Sequence, residues 1–209
     1  MTNSFSHLHI PAVFWPEPPA PEHIAHFYDN DEQFLRNLTN FVLEGLAADE
    51  SVIVIATSEH ETALRFRLFA AGIDVASAIE DDRYIPLDAE EALAKFMVNG
   101  WLDGQRFANL VGQVIKQATA GHRQTRAFGE MVALLWERGQ AGATVRLEDL
   151  WNQFSRSFSF PLLCAYPTAG FVKGPLCSLA EICSAHSTCI VDGDAISVWR
   201  TPVSAQAAD

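Results

Sequence analysis

Short apolar runs alternate along this chain with longer segments in which apolar residues recur every three or four positions. The clearest run, SVIVIAT at 51–57, is β-branched and uninterrupted, which is typical of a strand covered by helices on both faces. Further strands are predicted at 23–28, 83–87, 124–129 and 160–166. Strands that alternate with helices in this way indicate βαβ units with right-handed crossovers.

The intervening segments have the apolar periodicity of amphipathic helices. Helices are predicted at 32–46, 58–71, 88–97, 103–120, 131–136, 144–158 and 175–186. Ser58 and Asp88 are each followed three residues later by a glutamate, which is the pattern of a capping box. Gly72 is placed to end the second helix. The predicted fold class is therefore α/β, a three-layer sandwich with a mostly parallel central sheet.

The chain divides into one domain and two flanking segments. Residues 1–22 contain five prolines and are predicted to form an extended arm. Residues 23–189 form the single α/β domain, which is the economical choice for a chain of 209 residues. Residues 190–209 are predicted to form a C-terminal hairpin around Asp192-Gly193, or a tail.

Composition and charge exclude several classes of partner. Apolar residues make up 49% of the chain and charged residues 19%, which is typical of a folded domain. The formal net charge of −12 repels nucleic acid and anionic membranes. We find no run long enough to span a membrane and no signal peptide, so we expect a cytoplasmic protein.

The cysteines do not form a familiar metal motif. Cys183-x-x-His186-x-x-Cys189 has the residue types of a metal or redox cluster, but the spacing of the two thiols is not that of a zinc site. We interpret them, with Cys164 in an apolar strand, as small, buried, reduced thiols. His186 is placed to cap the C-terminus of the last helix. The sequence therefore predicts no metal site and no cofactor.

Polar and aromatic residues cluster where the predicted strands end. In an open α/β sheet, ligands bind beyond the carboxyl ends of the strands. We therefore predict a ligand-binding face at this edge. Its predicted residues are Tyr28, Asp29, Thr57, Glu130, Trp136 and Tyr166.

Several of these residues also have a purely structural interpretation. Glu130, between a strand and a helix, either faces a cleft or is a helix N-terminal acid worth about 0.3–1 kcal/mol. Asp29 also has the character of a helix cap. Trp136, like Trp101 and Trp151, either lines a pocket or belongs to the core, and the core is the more frequent place for such residues.

The motifs of common enzymes are missing. The turn at 28–32 has no glycine or lysine and is acidic, so it is not a Walker A loop. Neither G-x-G-x-x-G nor G-x-S-x-G occurs in the sequence. Arg126 lies four residues before Glu130, so a shared site for the two is uncertain from sequence. We predict no catalytic residue and favour a non-enzymatic function.

Five motifs in order make this chain resemble the MEDS domain, the methanogen/methylotroph sensory domain. They are His23-x-x-x-Phe27-Tyr28, Phe128-Gly129-Glu130-Met131-Val132 with Leu135-Trp136, Arg146-Leu147-Glu148-x-Leu150-Trp151-Asn152, Cys164-Ala165-Tyr166-Pro167 and Ile182-Cys183-x-x-His186-Ser187. The resemblance covers about residues 23–189. It implies a signalling input domain related to RecA/KaiC-type ATPases but without the Walker A loop.

The resemblance also implies a ligand and a partner. Such domains are proposed to sense small organic molecules and are often joined to histidine kinase or other regulatory modules. Residues 190–209 are too short for an output domain, so we expect contact in trans with a signalling protein such as a histidine kinase or transcription regulator, or a change of conformation or homo-oligomeric state. Two alternatives stay open: a cryptic nucleotide-binding protein or hydrolase that uses Glu130, and a pure protein-interaction module.

Overall fold

A central sheet of seven strands organises the computed structural model, which describes residues 22–170, 176–191 and 194–197. The strands, in chain order, are β1 His23–Tyr28, β2 Ser51–Ala56, β3 Tyr84–Asp88, β4 Met97–Val98, β5 Trp101–Leu102, β6 Thr125–Gly129, β7 Leu162–Pro167, β8 Thr188–Val191 and β9 Asp194–Ser197. The order across the sheet is β3-β2-β6-β7-β1-β8-β9. All neighbours pair in parallel except β8 and β9, which form an antiparallel edge. The α/β fold with a mostly parallel sheet is therefore confirmed.

Helices cover both faces of this sheet. They are α1 Asp31–Ala47, α2 Ser58–Ala70, α3 Val75–Glu80, α4 Ala89–Phe96, α5 Gly104–Ala118, α6 Met131–Glu137, α7 Ala141–Phe158 and α8 Leu176–Ala185, with a 3-10 turn at Thr168–Gly170. One core layer lies between the sheet and α1, α2 and α3. The other lies between the sheet and α4 to α8. This is the predicted three-layer sandwich.

The alternation of side chains along each strand decides which layer a residue joins. In β1, Ile24 and Tyr28 pack in the layer of α1, whereas Ala25 and Phe27 pack in the layer of α7. In β7, Cys164 and Tyr166 belong to the α7 layer. This two-residue period places functional side chains that are neighbours in sequence on opposite faces of the sheet.

The ends of the helices agree with the sequence in most places. Asp88 accepts the Glu91 N–H at 2.9 Å and caps α4 as predicted. Gly72 follows the end of α2 with φ of +86°, a conformation that glycine adopts without strain. The cap of α2 is Thr57 rather than Ser58, since the Thr57 hydroxyl accepts the His60 N–H.

The apolar periodicity of the sequence did not predict two local features. Helix α3 is only six residues long, too short to display a periodicity. Asn99 and Gly100, at φ of +51° and +78°, form the tight turn of the β4–β5 hairpin. In the described part of the chain, no helix combines the length and the apolar character needed to cross a membrane.

Candidate functional site

Glu130 is a buried carboxylate at the carboxyl end of β6. Its backbone N–H donates to the Ile55 carbonyl at 2.9 Å, which fixes it beside the end of β2. Its side chain accepts the Thr57 N–H at 2.8 Å and contacts His60 Nδ1 at 2.5 Å. Within the described residues, this carboxylate makes no capping bond to α6. It therefore joins the ends of two strands rather than acting as a helix N-terminal acid.

His60 links this buried carboxylate to the surface. It lies in the first turn of α2, and its ring meets the edge of Phe34 with the centroids 4.8 Å apart. Its Nε2 is 3.9 Å from an oxygen of Asp31. Burial opposes the charged form, but the hydrogen bond and charge of Glu130, with Asp31, outweigh it and raise the pKa of His60. The imidazole thus lies between two carboxylates that favour its charged form.

Tyr28 completes the buried side of this cluster. Its ring stacks on Phe34 with the centroids 4.7 Å apart, and its side chain is buried. Burial and then the nearby charges of Glu130 and Asp31 raise the pKa of Tyr28. Its phenol therefore stays protonated and is a hydrogen-bond donor at physiological pH.

The structure gathers only part of the predicted ligand-binding face. Tyr28, Thr57 and Glu130 come together, with the backbone of Thr57 making the contact to Glu130. Asp29 is exposed and accepts the Thr168 hydroxyl. Trp136 is buried in the core layer of α4 to α8, and Tyr166 lies in that same layer. These last two residues are thus on the opposite face of the sheet from Glu130.

His60 was not among the residues that the sequence predicted for this face. Its signal was its position, four residues beyond the end of β2 and in the first turn of the helix that follows. Arg126 is not part of this site: its guanidinium contacts Glu50 and donates to the Phe41 carbonyl at 3.0 Å. Trp101, for which a core position was favoured, is 53% exposed.

A second cluster of titratable groups lies in the other core layer. His23, Glu148, Cys164 and His186 are all buried, and one potential ligand atom from each lies within 4.8 Å of the others. Tyr166 donates its hydroxyl to Glu148. Glu148 was not singled out from the sequence, although Leu147 and Trp151 beside it mark the buried face of α7.

The charges in this second cluster perturb one another. Burial disfavours an ionised Glu148, but His186 and His23 outweigh it and hold the pKa of that carboxyl well below its usual range. Burial and then His186 lower the pKa of His23. Burial and then Glu148 raise the pKa of both Cys164 and Tyr166. Glu148 is fully buried, so its carboxyl group interacts with these neighbours rather than with water.

The grouping of His186 with Cys183 and Cys189, which the spacing in the sequence argued against as a metal motif, is only partly seen. Burial and then Cys183 raise the pKa of Cys189 to about 12, so those two thiols neighbour each other. His186 Nδ1 lies 2.6 Å from the Ile182 carbonyl and satisfies the last turn of α8, as expected. The other ring nitrogen of His186, Nε2, lies 3.4 Å from Glu148 Oε1.

Fold and site together define a three-layer α/β domain in which a carboxylate and a histidine occupy the edge where related folds bind ligands. The model of the MEDS family, described as the methanogen/methylotroph, DcmR sensory domain, matches residues 22–187. The chain therefore belongs to the MEDS family of sensory domains. A comparison with curated proteins finds no match.

Proposed function

We propose that this sensory domain binds a small organic molecule at the carboxyl edge of its sheet and reports the binding to a partner signalling protein. The observation that carries the proposal is the Glu130–His60 pair, in which a buried carboxylate holds a partly exposed imidazole at the sheet edge. A buried charge needs such a partner, and groups with perturbed pKa values are enriched at functional sites.

The charges around His60 favour a neutral or cationic ligand. Asp31 and Glu59 both raise the pKa of His60, so the imidazole stands among acidic groups. Asp29 adds a further exposed carboxylate at the end of β1. A phosphate would meet these charges without a lysine or a glycine-rich loop to offset them. A compound with an apolar body and one hydrogen-bonding group fits this environment better than a nucleotide.

A thermal-shift titration tests the proposal. The purified protein is titrated with a panel of small organic molecules, and with ATP and GTP in the presence and absence of Mg²⁺. A ligand specific to the folded state stabilises by about 2.7 kcal/mol at a hundredfold excess over its Kd. We expect stabilisation by an organic compound alone. Stabilisation that requires nucleotide and Mg²⁺ would instead favour a nucleotide-binding protein and a turnover assay.

Glu130→Gln is expected to weaken binding of that compound by about 10- to 100-fold. A hydrogen bond to a charged group contributes about 1.5–3 kcal/mol, and about 1.4 kcal/mol is a tenfold change. Asp88→Asn is the matched control, because it removes a carboxylate from the end of β3 and keeps a residue suited to capping α4. Isothermal titration calorimetry measures both. Unchanged binding in both Glu130→Gln and Tyr28→Phe would refute this location of the site.

A second function, that of an interaction module, is favoured by an exposed apolar surface on α2. Phe66 and Phe69 are 73% and 75% exposed and border an open groove. The floor of this groove is formed by 72–76, with Arg65 at its edge. Exposed aromatic residues grouped in this way are typical of protein contacts. Since α2 also carries His60, one helix connects the sheet edge to this surface.

Phe66→Ser/Phe69→Ser is expected to abolish whatever self-association the domain shows, because the apolar contact is lost while Leu64 and Leu68 stay buried. Light scattering coupled to size-exclusion chromatography measures the mass of each variant across a concentration series. The control is Phe158→Ser, which removes a 51% exposed aromatic side chain from α7. A wild-type protein that stays monomeric at every concentration would exclude contact between copies and leave a different partner as the occupant.

A further inference from the structure

Four side chains with metal-binding atoms converge inside the α7 core layer, away from the Glu130 site. His23 begins β1, Cys164 lies within β7, Glu148 is on α7 and His186 follows α8. His23 Nε2 is 3.1 Å from Glu148 Oε2 and 3.3 Å from Cys164 Sγ. Cys164 Sγ is 3.7 Å from Glu148 Oε2, and His186 Nε2 is 3.4 Å from Glu148 Oε1.

The hydrogen bonds of His186 determine which of its ring nitrogens carries the proton. Its Nδ1 lies 2.6 Å from the Ile182 carbonyl, which only accepts hydrogen bonds, so Nδ1 must be the donor. In the neutral ring, Nε2 then carries a lone pair directed towards Glu148. His186 is fully buried, and its Nε2 has no hydrogen-bond partner among the described residues.

His23 is oriented in the same way. Asn152 donates its amide N–H to the Ala185 carbonyl at 2.8 Å, which fixes its Oδ1 as the atom that faces His23. His23 Nδ1 lies 3.2 Å from that oxygen and is therefore a donor. The lone pair of the neutral ring is again on Nε2, towards Glu148 and Cys164.

Two imidazole lone pairs thus face a carboxylate in a site closed to water. Lone pairs and carboxylate oxygens repel one another unless a positive charge lies between them, and an uncompensated buried charge is strongly unfavourable. Either a proton or a metal cation supplies that charge. Cys164 distinguishes the two, because in a protonated His–Glu pair its thiol donates only a long hydrogen bond of 3.7 Å to Glu148 Oε2, whereas a thiolate is a strong ligand for a soft cation.

We propose that His23, Glu148, Cys164 and His186 bind a divalent transition metal ion of the zinc type. Bonds of about 2.0–2.3 Å in a tetrahedral site place ligand atoms about 3.3–3.8 Å apart. The four contacts above are 3.1–3.7 Å long, and one ligand atom from each residue lies within 4.8 Å of the others. On binding, the Cys164 thiol loses its proton to solvent. The dication, the thiolate and the carboxylate then sum to zero charge, which is suited to a buried site.

The groups around these ligands are those that metal sites require. A metal-bound histidine donates its other N–H to a carbonyl or a carboxylate, and a bound carboxylate is itself hydrogen-bonded. The Ile182 carbonyl accepts a hydrogen bond from His186, and the Asn152 amide oxygen accepts one from His23. The Tyr166 hydroxyl donates one to Glu148. The ion would connect the end of α8 to the sheet and to α7, because its ligands lie on β1, β7 and α7 and directly after α8.

Cobalt titration of the metal-stripped full-length protein tests the site. We expect one Co²⁺ per chain, with the intense visible bands of four-coordinate cobalt and a near-ultraviolet thiolate-to-cobalt charge-transfer band. Zn²⁺ should displace the cobalt and remove both features. Cys164→Ser should lose the charge-transfer band, whereas the control Cys183→Ser should keep it. Wild-type protein that binds no cobalt stoichiometrically, or a band that persists in Cys164→Ser, would overturn the proposal.

A second variant keeps the test decisive if Cys164→Ser does not fold. Asn152→Ala keeps all four ligands but removes the acceptor for His23 Nδ1, and loss of such a supporting contact weakens metal affinity by about 10- to 100-fold. Gln153→Ala removes an exposed amide from the same helix and should leave affinity unchanged. Equal zinc affinity in these two variants would contradict the site, and circular dichroism confirms that each is folded. The Glu130 proposal is unaffected, since it concerns the other face of the sheet.

Discussion

Trp151→Ala is expected to lower the free energy of unfolding by about 3–5 kcal/mol, the range for truncating a buried tryptophan. The Trp151 side chain is 1% exposed. It meets the Phe107 ring edge-on with the centroids 5.1 Å apart and lies under Gly129, where a Cβ would be 3.7 Å from its ring. Removing the indole leaves a cavity between α5, α7 and the sheet, because helices packed on both sides cannot collapse into it.

Trp101→Ala is the matched control for this prediction. Trp101 lies on the β4–β5 hairpin and is 53% exposed, so its loss should cost less than about 1 kcal/mol. Urea denaturation followed by circular dichroism measures both variants, and the denaturant dependence should stay the same. Equal destabilisation of the two variants would contradict the different burial of these tryptophans.

Acidification is expected to destabilise the domain through His26 by about 3 kcal/mol between pH 6.5 and pH 4. Burial lowers the pKa of His26 from 6.5 to about 4. Its Nε2 lies 3.0 Å from the Asn37 amide, which donates to the neutral ring. In this interval the unfolded chain binds a proton that the folded chain excludes. The stabilisation is therefore complete above pH 6.5 and is lost as the pH falls towards 4.

His26→Asn isolates this contribution, because asparagine keeps an acceptor for Asn37 but does not titrate. Urea unfolding of wild type and variant across pH 4 to 7.5 gives two stability curves. Their difference removes the effects of His60, whose raised pKa has the opposite sign, and of His23, whose lowered pKa has the same sign. Parallel curves would show that His26 does not titrate as its burial requires.

The fold could be predicted from the sequence because apolar residues recur with different periods in strands and in helices. Five of the six parallel strands were predicted as core strands. A C-terminal hairpin or tail was predicted at 190–209, and in the described residues β8 and β9 pair as antiparallel strands that begin at Thr188. The errors are local. Helix α7 begins at Ala141, three residues before the prediction, because polar Gln140 and the flanking glycines resemble a loop. Short elements such as α3 have too few residues to carry a pattern.

The sites were harder to predict from the sequence, because each depends on contacts between distant parts of the chain. Glu130 was identified from its position at a strand end, but its partner His60 lies 70 residues away. Glu148 and Cys164 were part of recognisable motifs, yet nothing in the sequence places them with His23, which is 141 residues from Cys164. The spacing of Cys183 and Cys189 about His186 argued against a metal site there, and packing places His186 beside Glu148 instead.

The sequence by itself determined the α/β class, the order of its elements, the family and the edge at which Glu130 lies. Periodicity and motifs are local properties, because they depend only on residues that are close together in the sequence. Only the tertiary structure decided that His60 completes the Glu130 pair and that Tyr166 contacts Glu148 on the opposite face. The physical reason is the two-residue alternation of a strand combined with the crossover order of the sheet, which together decide the face and the neighbours of each side chain.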